Sequence, residues 1–208
     1  AWIKHHHPGI FACALLNSQP MGFYAPAQIV RDAREHGVTV LPVCINASFW
    51  DNVMEPDAKG GLALRLGFRQ IKGLNEEDAS WIAAGRGNGY QSVGDLWRRA
   101  GLDPATIARL AEADTFRDLQ LSRRQALWEA KALTTRKTLP LFDGDIDGEA
   151  IHEPAALLPQ MTEGEQVVED YVSMRLTLRR HPLALLRHIL TPDADRTAQP
   201  YVSGTKPY

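Results

Sequence analysis

One stretch limits the fold more than any other: Ile71-Lys72-Gly73-Leu74-Asn75-Glu76-Glu77-Asp78-Ala79-Ser80-Trp81-Ile82. It predicts a helix, a sharp turn and a second helix beginning at Glu76. Gly73 and Asn75 both tolerate positive φ, and they flank a single apolar residue. Leu74 plugs the junction of the two helices, Ala79 allows close packing, and Ile71 with Ile82 closes the core. A turn of alternating backbone handedness points successive amides at one spot, and the helix start behind it adds partial positive charge. Such a turn holds a DNA phosphate through the backbone without reading bases. Arg69 and Lys72 add charge beside it, so Arg69, Lys72, Gly73, Leu74 and Asn75 are the candidate DNA-binding residues. The competing reading is a plain helix corner. Glu76, Glu77 and Asp78 favour it, because they satisfy the helix dipole with no ligand.

The rest of the chain reads as short helices around one β segment. Residues 1–36 are predicted helical, with a polar helix end stopped at Pro8, a helix opened by Pro26 and a stop at Gly37. Val38 to Ile45 is a β-branched run, and Pro42 makes it an edge strand. Asn46 to Gly61 reads as loop, and short helices follow from Leu62 to Leu133. Asp103-Pro104 opens one of them, and Ser122 with Gln125 forms a capping-box pair. Thr162 with Glu165 is another such pair, starting a helix along Val168, Tyr171, Arg175 and Leu178. Pro182 restarts a short helix, and 191–208 reads as a loose tail.

Charge is strongly segregated. Residues 61–137 carry 13 Lys/Arg against 9 Asp/Glu, whereas 138–170 carry 9 acids and no Lys/Arg. Residues 171–190 are basic again, with 4 Arg and no acid. A basic block of folded helices attracts phosphate, and the acidic stretch repels it. No apolar run reaches a membrane span, no secretory signal opens the chain, and Cys13 and Cys44 have no metal or disulfide spacing. Both thiols are expected buried and reduced, as in a cytoplasmic protein. The five tryptophans read as core. No nucleophile and base arrangement suggests local catalysis. His5-His6-His7 reads as a helix end.

A resemblance then becomes specific. Leu15-Leu16-Asn17-Ser18-Gln19-Pro20-Met21-Gly22-Phe23-Tyr24, with Val30-Arg31-Asp32-Ala33-Arg34 after it, resembles the end of the fingers region of bacterial C-family DNA polymerases. Arg65 to Leu74 is similar to that family's first helix-hairpin-helix. Leu110 to Phe116, with Arg123 to Glu129, resembles the second, but has no Gly-x-Gly and is expected to be structural. Asp170-Tyr171 and His181-Pro182-Leu183 resemble the lead-in to its OB-fold. The Asn-Ser-Gln-Pro-Met-Gly-Phe-Tyr and Ala-Leu-Trp-Glu strings resemble the error-prone, damage-inducible branch.

The resemblance implies a mainly α chain with a short β segment. The expected order is the end of a fingers domain (1–60), a tandem helix-hairpin-helix region (61–137), an acidic linker (138–161), helices leading toward a missing OB-fold (162–190), and the tail. It implies a part of an error-prone DNA-directed DNA polymerase, a nucleotidyltransferase of damage-tolerant synthesis and DNA repair. Catalysis and Mg2+ would belong to palm aspartates upstream, with no cofactor in this segment and duplex primer–template as the partner. Thr138-Leu139-Pro140-Leu141-Phe142 resembles the peptide by which bacterial polymerases hold the sliding clamp. A clamp or accessory mutagenesis protein is therefore the alternative partner, through Thr138, Leu139, Leu141 and Phe142. Docking of Leu141 and Phe142 on the helical core is the competing reading. Asp143-Gly144-Asp145-Ile146-Asp147-Gly148 imitates a calcium loop, but its twelfth position is Pro154 where a Glu is needed, so it reads as linker.

Overall fold

The computed structural model of the chain describes residues 2–57, 60–133 and 158–187. Proline and glycine punctuate its first third. Helix α1 (Trp2–His6) ends before Pro8, which opens α2 (Pro8–Asn17). Pro26 likewise opens α3 (Pro26–Glu35). In a first turn the amide that proline lacks would have had no intrahelical acceptor. Gly37, at φ +80°, closes α3. Its amide donates to Arg34 O, and that of Val38 to Ala33 O, each at 3.0 Å, which occupies two terminal carbonyls. Ile29, Val30 and Ala33 form the buried face of α3, as their spacing predicts.

The β segment is larger than expected and differently placed. The strand predicted over 38–45 shrinks to β1 (Val40–Leu41). The expected loop contains β2 (Val53–Pro56), and the expected helices begin instead with β3 (Leu62–Arg65). Strand order is β1-β3-β2, so β1 does lie at an edge, before Pro42. β1 runs parallel to β3 with Val40 opposite Leu64, and β2 runs antiparallel with Met54 opposite Leu64. Arg65 stitches the sheet, donating to Glu55 Oε1 at 2.7 Å and to Pro42 O at 3.0 Å.

After the sheet in the chain come α4 (Glu76–Gly85), α5 (Val93–Ala100), α6 (Pro104–Glu112), α7 (Arg123–Ala132) and α8 (Glu163–Met174). Residues 182–187 are also helical. One apolar core runs from Leu16 through Leu64, Phe68, Ile82, Leu96 and Ile107 to Phe116 and Leu176. Each such fully buried side chain contributes about 1.5–3 kcal/mol. The chain is therefore mainly α with a small three-stranded sheet.

Two further expectations fail. α8 does not bury Val168 and Tyr171. It buries Val167, Asp170, Ser173 and Met174, and ends where Arg175 turns left-handed at φ +59°. An apolar period missed this face because its central member is an aspartate. The tryptophans are not core either: Trp2, Trp81 and Trp128 are exposed, and Trp50 and Trp97 are only partly covered.

Both cysteines are free, with Cys44 buried and Cys13 half-buried. Burial, and then the neighbouring Asp118, push the Cys44 thiol up to about 11, and burial also raises Cys13. The residues Thr138, Leu139, Leu141 and Phe142, the 143–148 acidic run and the 191–208 tail lie outside the described residues.

Candidate nucleic-acid interface

The hairpin is reached through a rigid lead-in. Buried Asn52 exchanges hydrogen bonds with Asn17 at the end of α2, and its Oδ1 accepts the amide of Gly67 at 3.0 Å. Gly67 itself is pressed against the chain: a Cβ there would lie 2.5 Å from the carbonyl carbon and oxygen of Asp51. A short 3-10 turn, Phe68–Gln70, replaces the first helix expected before the hairpin, so Ile71 is extended rather than helical.

From there the turn forms largely as its residue types require. Gly73 takes φ +78° and is exposed. Leu74, Ile71, Ala79 and Ile82 are buried, so Leu74 does plug the junction. Asn75 departs from expectation. It is extended, at φ −103°, and caps α4 by accepting the amide of Asp78 at 2.6 Å. An Asn at this position serves as an N-cap because its side chain reaches the third helical amide. The alternating-handedness nest is thus reduced to a single left-handed residue, Gly73.

The two flanking cations separate. Arg69 is spent inside the protein: Nη1 donates to Asn17 O and Asp51 Oδ1, each at 2.6 Å, and Nη2 to Gln19 O at 3.1 Å. It fastens the lead-in to the end of α2 and does not present its charge at the turn. Lys72 is exposed, with no side-chain partner among the described residues. Its amide donates to Ser173 O at 2.8 Å, which brings the end of α8 and its exposed Arg175 to the hairpin. Arg109 of α6, which sequence reasoning missed, lies alongside, with Nε 3.6 Å from where a Cβ on Gly73 would be. No local pattern marks Arg109, because only the packing of α6 brings it to the turn.

A second hairpin follows the same plan. A 3-10 turn, Arg117–Leu119, leads to Gln120 at φ +58°, then half-buried Leu121, the N-cap Ser122 and ten-residue α7. Ser122 and Gln125 form the predicted capping box, and Ala126 is buried as Ala79 is in α4. The absent Gly-x-Gly therefore does not abolish the turn, because Gln120 adopts the left-handed conformation in place of glycine.

The electrostatics of the two differ. The first turn of α4 carries Glu76, Glu77 and Asp78, while α7 begins with Arg123 and Arg124. Asp114, ahead of the second turn, accepts from Arg117 Nε at 2.5 Å and Arg179 Nη2 at 2.9 Å. Arg123 pairs with Asp170 of α8 and lies 3.7 Å from Asp114, and Thr177 donates to Asp170 at 2.7 Å. Arg123 is 3% exposed, yet its Nε and Nη1 have no hydrogen-bond partner among the described residues. A single arginine in a helix's first turn reads as solvent-facing, so sequence carried no signal of this network.

Among the described residues no cluster of His, Cys, Asp or Glu is arranged to hold a metal ion, and no helix is long and apolar enough to cross a membrane. The architecture is that of a helix-hairpin-helix protein, and a family model described as a helix-hairpin-helix motif matches residues 37–126. The chain is 65% identical to an error-prone DNA polymerase of Ruegeria pomeroyi over 187 residues, covering 90% of this chain and 17% of that protein. It is 50% identical to an error-prone DNA polymerase of Brucella abortus over 98% of this chain and 19% of that protein. Error-prone DNA polymerase 2 of Rhizobium meliloti is 54% identical over 89% of this chain and 18% of that protein. The chain is similar over most of its length to a segment of error-prone DNA polymerases, and it spans less than a fifth of the length of these relatives.

Proposed function

We propose that this chain gives an error-prone DNA polymerase part of its grip on duplex DNA, by backbone phosphate contact at the Gly73 hairpin. The observation that carries this reading is the exposed left-handed turn at Gly73 with Lys72 and Arg109 beside it. Contacts of this kind position a duplex without reading its sequence. The parent protein acts in damage-tolerant DNA synthesis in the cytoplasm. Nucleotidyl transfer and its Mg2+ ions belong to aspartates elsewhere in that parent, and the 208-residue chain extends no primer by itself.

The test is fluorescence anisotropy of a labelled primer–template duplex between about 50 and about 200 mM salt, where phosphate-driven affinity falls steeply. Lys72→Glu is expected to weaken binding on every sequence tried and to flatten the salt dependence. Binding indifferent to Lys72, or no binding, would make this hairpin a packing device.

A further inference from the structure

A cleft of about 610 Å³ opens between α3 and residues 177–181, which follow α8. Its two sides are tied together, because Arg34 Nη1 of α3 donates to Leu178 O at 3.0 Å. Buried Val30 and half-buried Ala27 line it from α3, and Tyr171 of α8 lines it with its ring 37% exposed. None of these residues belongs to either hairpin.

Arg31, Arg34, Arg179 and Arg180 line this cleft, and they are not equivalent. Arg179 Nη2 donates to Asp114 at 2.9 Å and Arg180 Nε to Glu163 at 2.9 Å, so the charges of both are answered. Arg31 reaches Glu35 only at 3.7 Å, and both side chains are exposed, which makes the pair worth little in water. Arg34 forms no ion pair among the described residues. Its Nη1 is taken by Leu178 O, which leaves Nε and Nη2, the pair that holds a carboxylate with two hydrogen bonds. Arg31 and Arg34 thus offer their charges about one turn apart on α3, beside an apolar lining. A peptide suits this arrangement better than a nucleic-acid strand does. A strand carries a charge at every phosphate and would meet Glu35, which also lines the cleft, and Glu163 held by Arg180. A peptide can seat isolated carboxylates on Arg31 and Arg34 and lay an apolar side chain against Ala27, Val30 and Tyr171. Arginine and tyrosine are also the residue types enriched where partner proteins dock.

We propose that this cleft docks a partner protein through an acidic segment in which an apolar side chain stands between carboxylates. The docking uses neither hairpin, so it stands or falls apart from the hold on duplex DNA given above.

The test selects a random peptide library displayed on phage against the 208-residue chain. The enriched peptides are then synthesised with a fluorescent label and titrated by anisotropy. They are expected to carry acidic residues on both sides of an apolar one. Arg31→Glu, Arg34→Glu and Tyr171→Ala should each weaken them by about tenfold. Arg31 makes no bond to the opposite side of the cleft, so its variant reads the docking without disturbing the contact that Arg34 makes with Leu178. Lys72→Glu, at the first hairpin, should leave the peptides bound whatever it does to duplex DNA. No enriched peptide, enriched peptides without acidic residues, or binding indifferent to Arg31 and Arg34 would overturn the proposal. So would a labelled oligo(dT) strand whose binding Arg34→Glu abolishes while the peptides stay bound, because the cleft would then be a nucleic-acid site.

Discussion

Replacing Asp170 with alanine tests how the second hairpin is held. The Asp170 side chain is 4% exposed, pairs with Arg123 and accepts Thr177 Oγ1 at 2.7 Å, with Arg179 Nε at 3.5 Å. Its removal leaves Arg123 buried with only Asp114, at 3.7 Å, to answer its charge. Removing one partner of a buried ion pair costs about 3–5 kcal/mol, because the stranded charge has lost its water as well as its partner. For a chain of this size each kcal/mol moves the melting temperature by about 2–4 °C, so a fall of about 6–20 °C is expected. Circular dichroism melts read it directly. The control is Glu163→Ala, which removes an ion pair to Arg180 of equal closeness at the surface. There the side chains are already solvated, and the melt should scarcely move. Equal shifts for the two variants would refute the argument, because burial is what separates them. A double change, Arg123→Met with Asp170→Leu, should recover most of the loss, since it removes the stranded charge along with its partner.

Two other consequences follow from single positions. Gly67→Ala drives a Cβ into the Asp51 carbonyl, and the backbone that must move also carries Asn52, so destabilisation of about 3 kcal/mol or more is expected by chemical denaturation. Gly164→Ala, on α8 with nothing near it, should instead stabilise by about 0.5–1 kcal/mol. The Cys44 thiol, raised from 9.0 to about 11 by burial and Asp118, stays protonated in the folded chain at pH values where the unfolded chain loses its proton. Its contribution to stability is complete below pH 9.0 and is lost as pH rises toward about 11. Cys44→Ser should remove that part of the alkaline fall in denaturation measured from pH 8 to pH 11. A fall as steep as in wild type would exclude Cys44 as its source.

What the sequence disclosed was local. The Ser122 and Thr162 capping boxes, the prolines opening α3 and α6 and the Gly37 stop depend on residues within a turn or two, and they appear where read. The hairpin apolar set, Ile71, Leu74, Ala79 and Ile82, also forms as read. What stayed hidden depends on partners far along the chain. The sheet is built from strands of two and four residues whose pairing is decided by register with β3, and β3 itself reads as apolar helix. Arg123 and Asp170, 47 positions apart, each look like a surface charge until α8 packs beside α7. Arg69 and Arg109 exchanged places for the same reason: one was captured by carbonyls of the α2 end, and the other was delivered by α6.

The two hairpins show how one backbone plan can serve opposite electrostatic ends. Carboxylates in the first turn of α4 complement its own dipole, and Asn75 satisfies one of the amides that the helix leaves unpaired. That helix start is content without a ligand, so any hold on DNA at the first hairpin must come from Lys72, Arg109 and the Gly73 amide rather than from the helix. At α7 the signs are reversed. Arginines in a first turn oppose the dipole by about 0.3–1 kcal/mol each when no anion is present. The fold offsets this with Asp114, held left-handed at φ +58°, and with Asp170 brought from α8. Two carboxylates answer three arginines there, and Arg117 and Arg179 are open enough to solvent for water to answer the remaining charge. The hairpin with the more familiar glycine turn is thus the one whose helix needs an anion least.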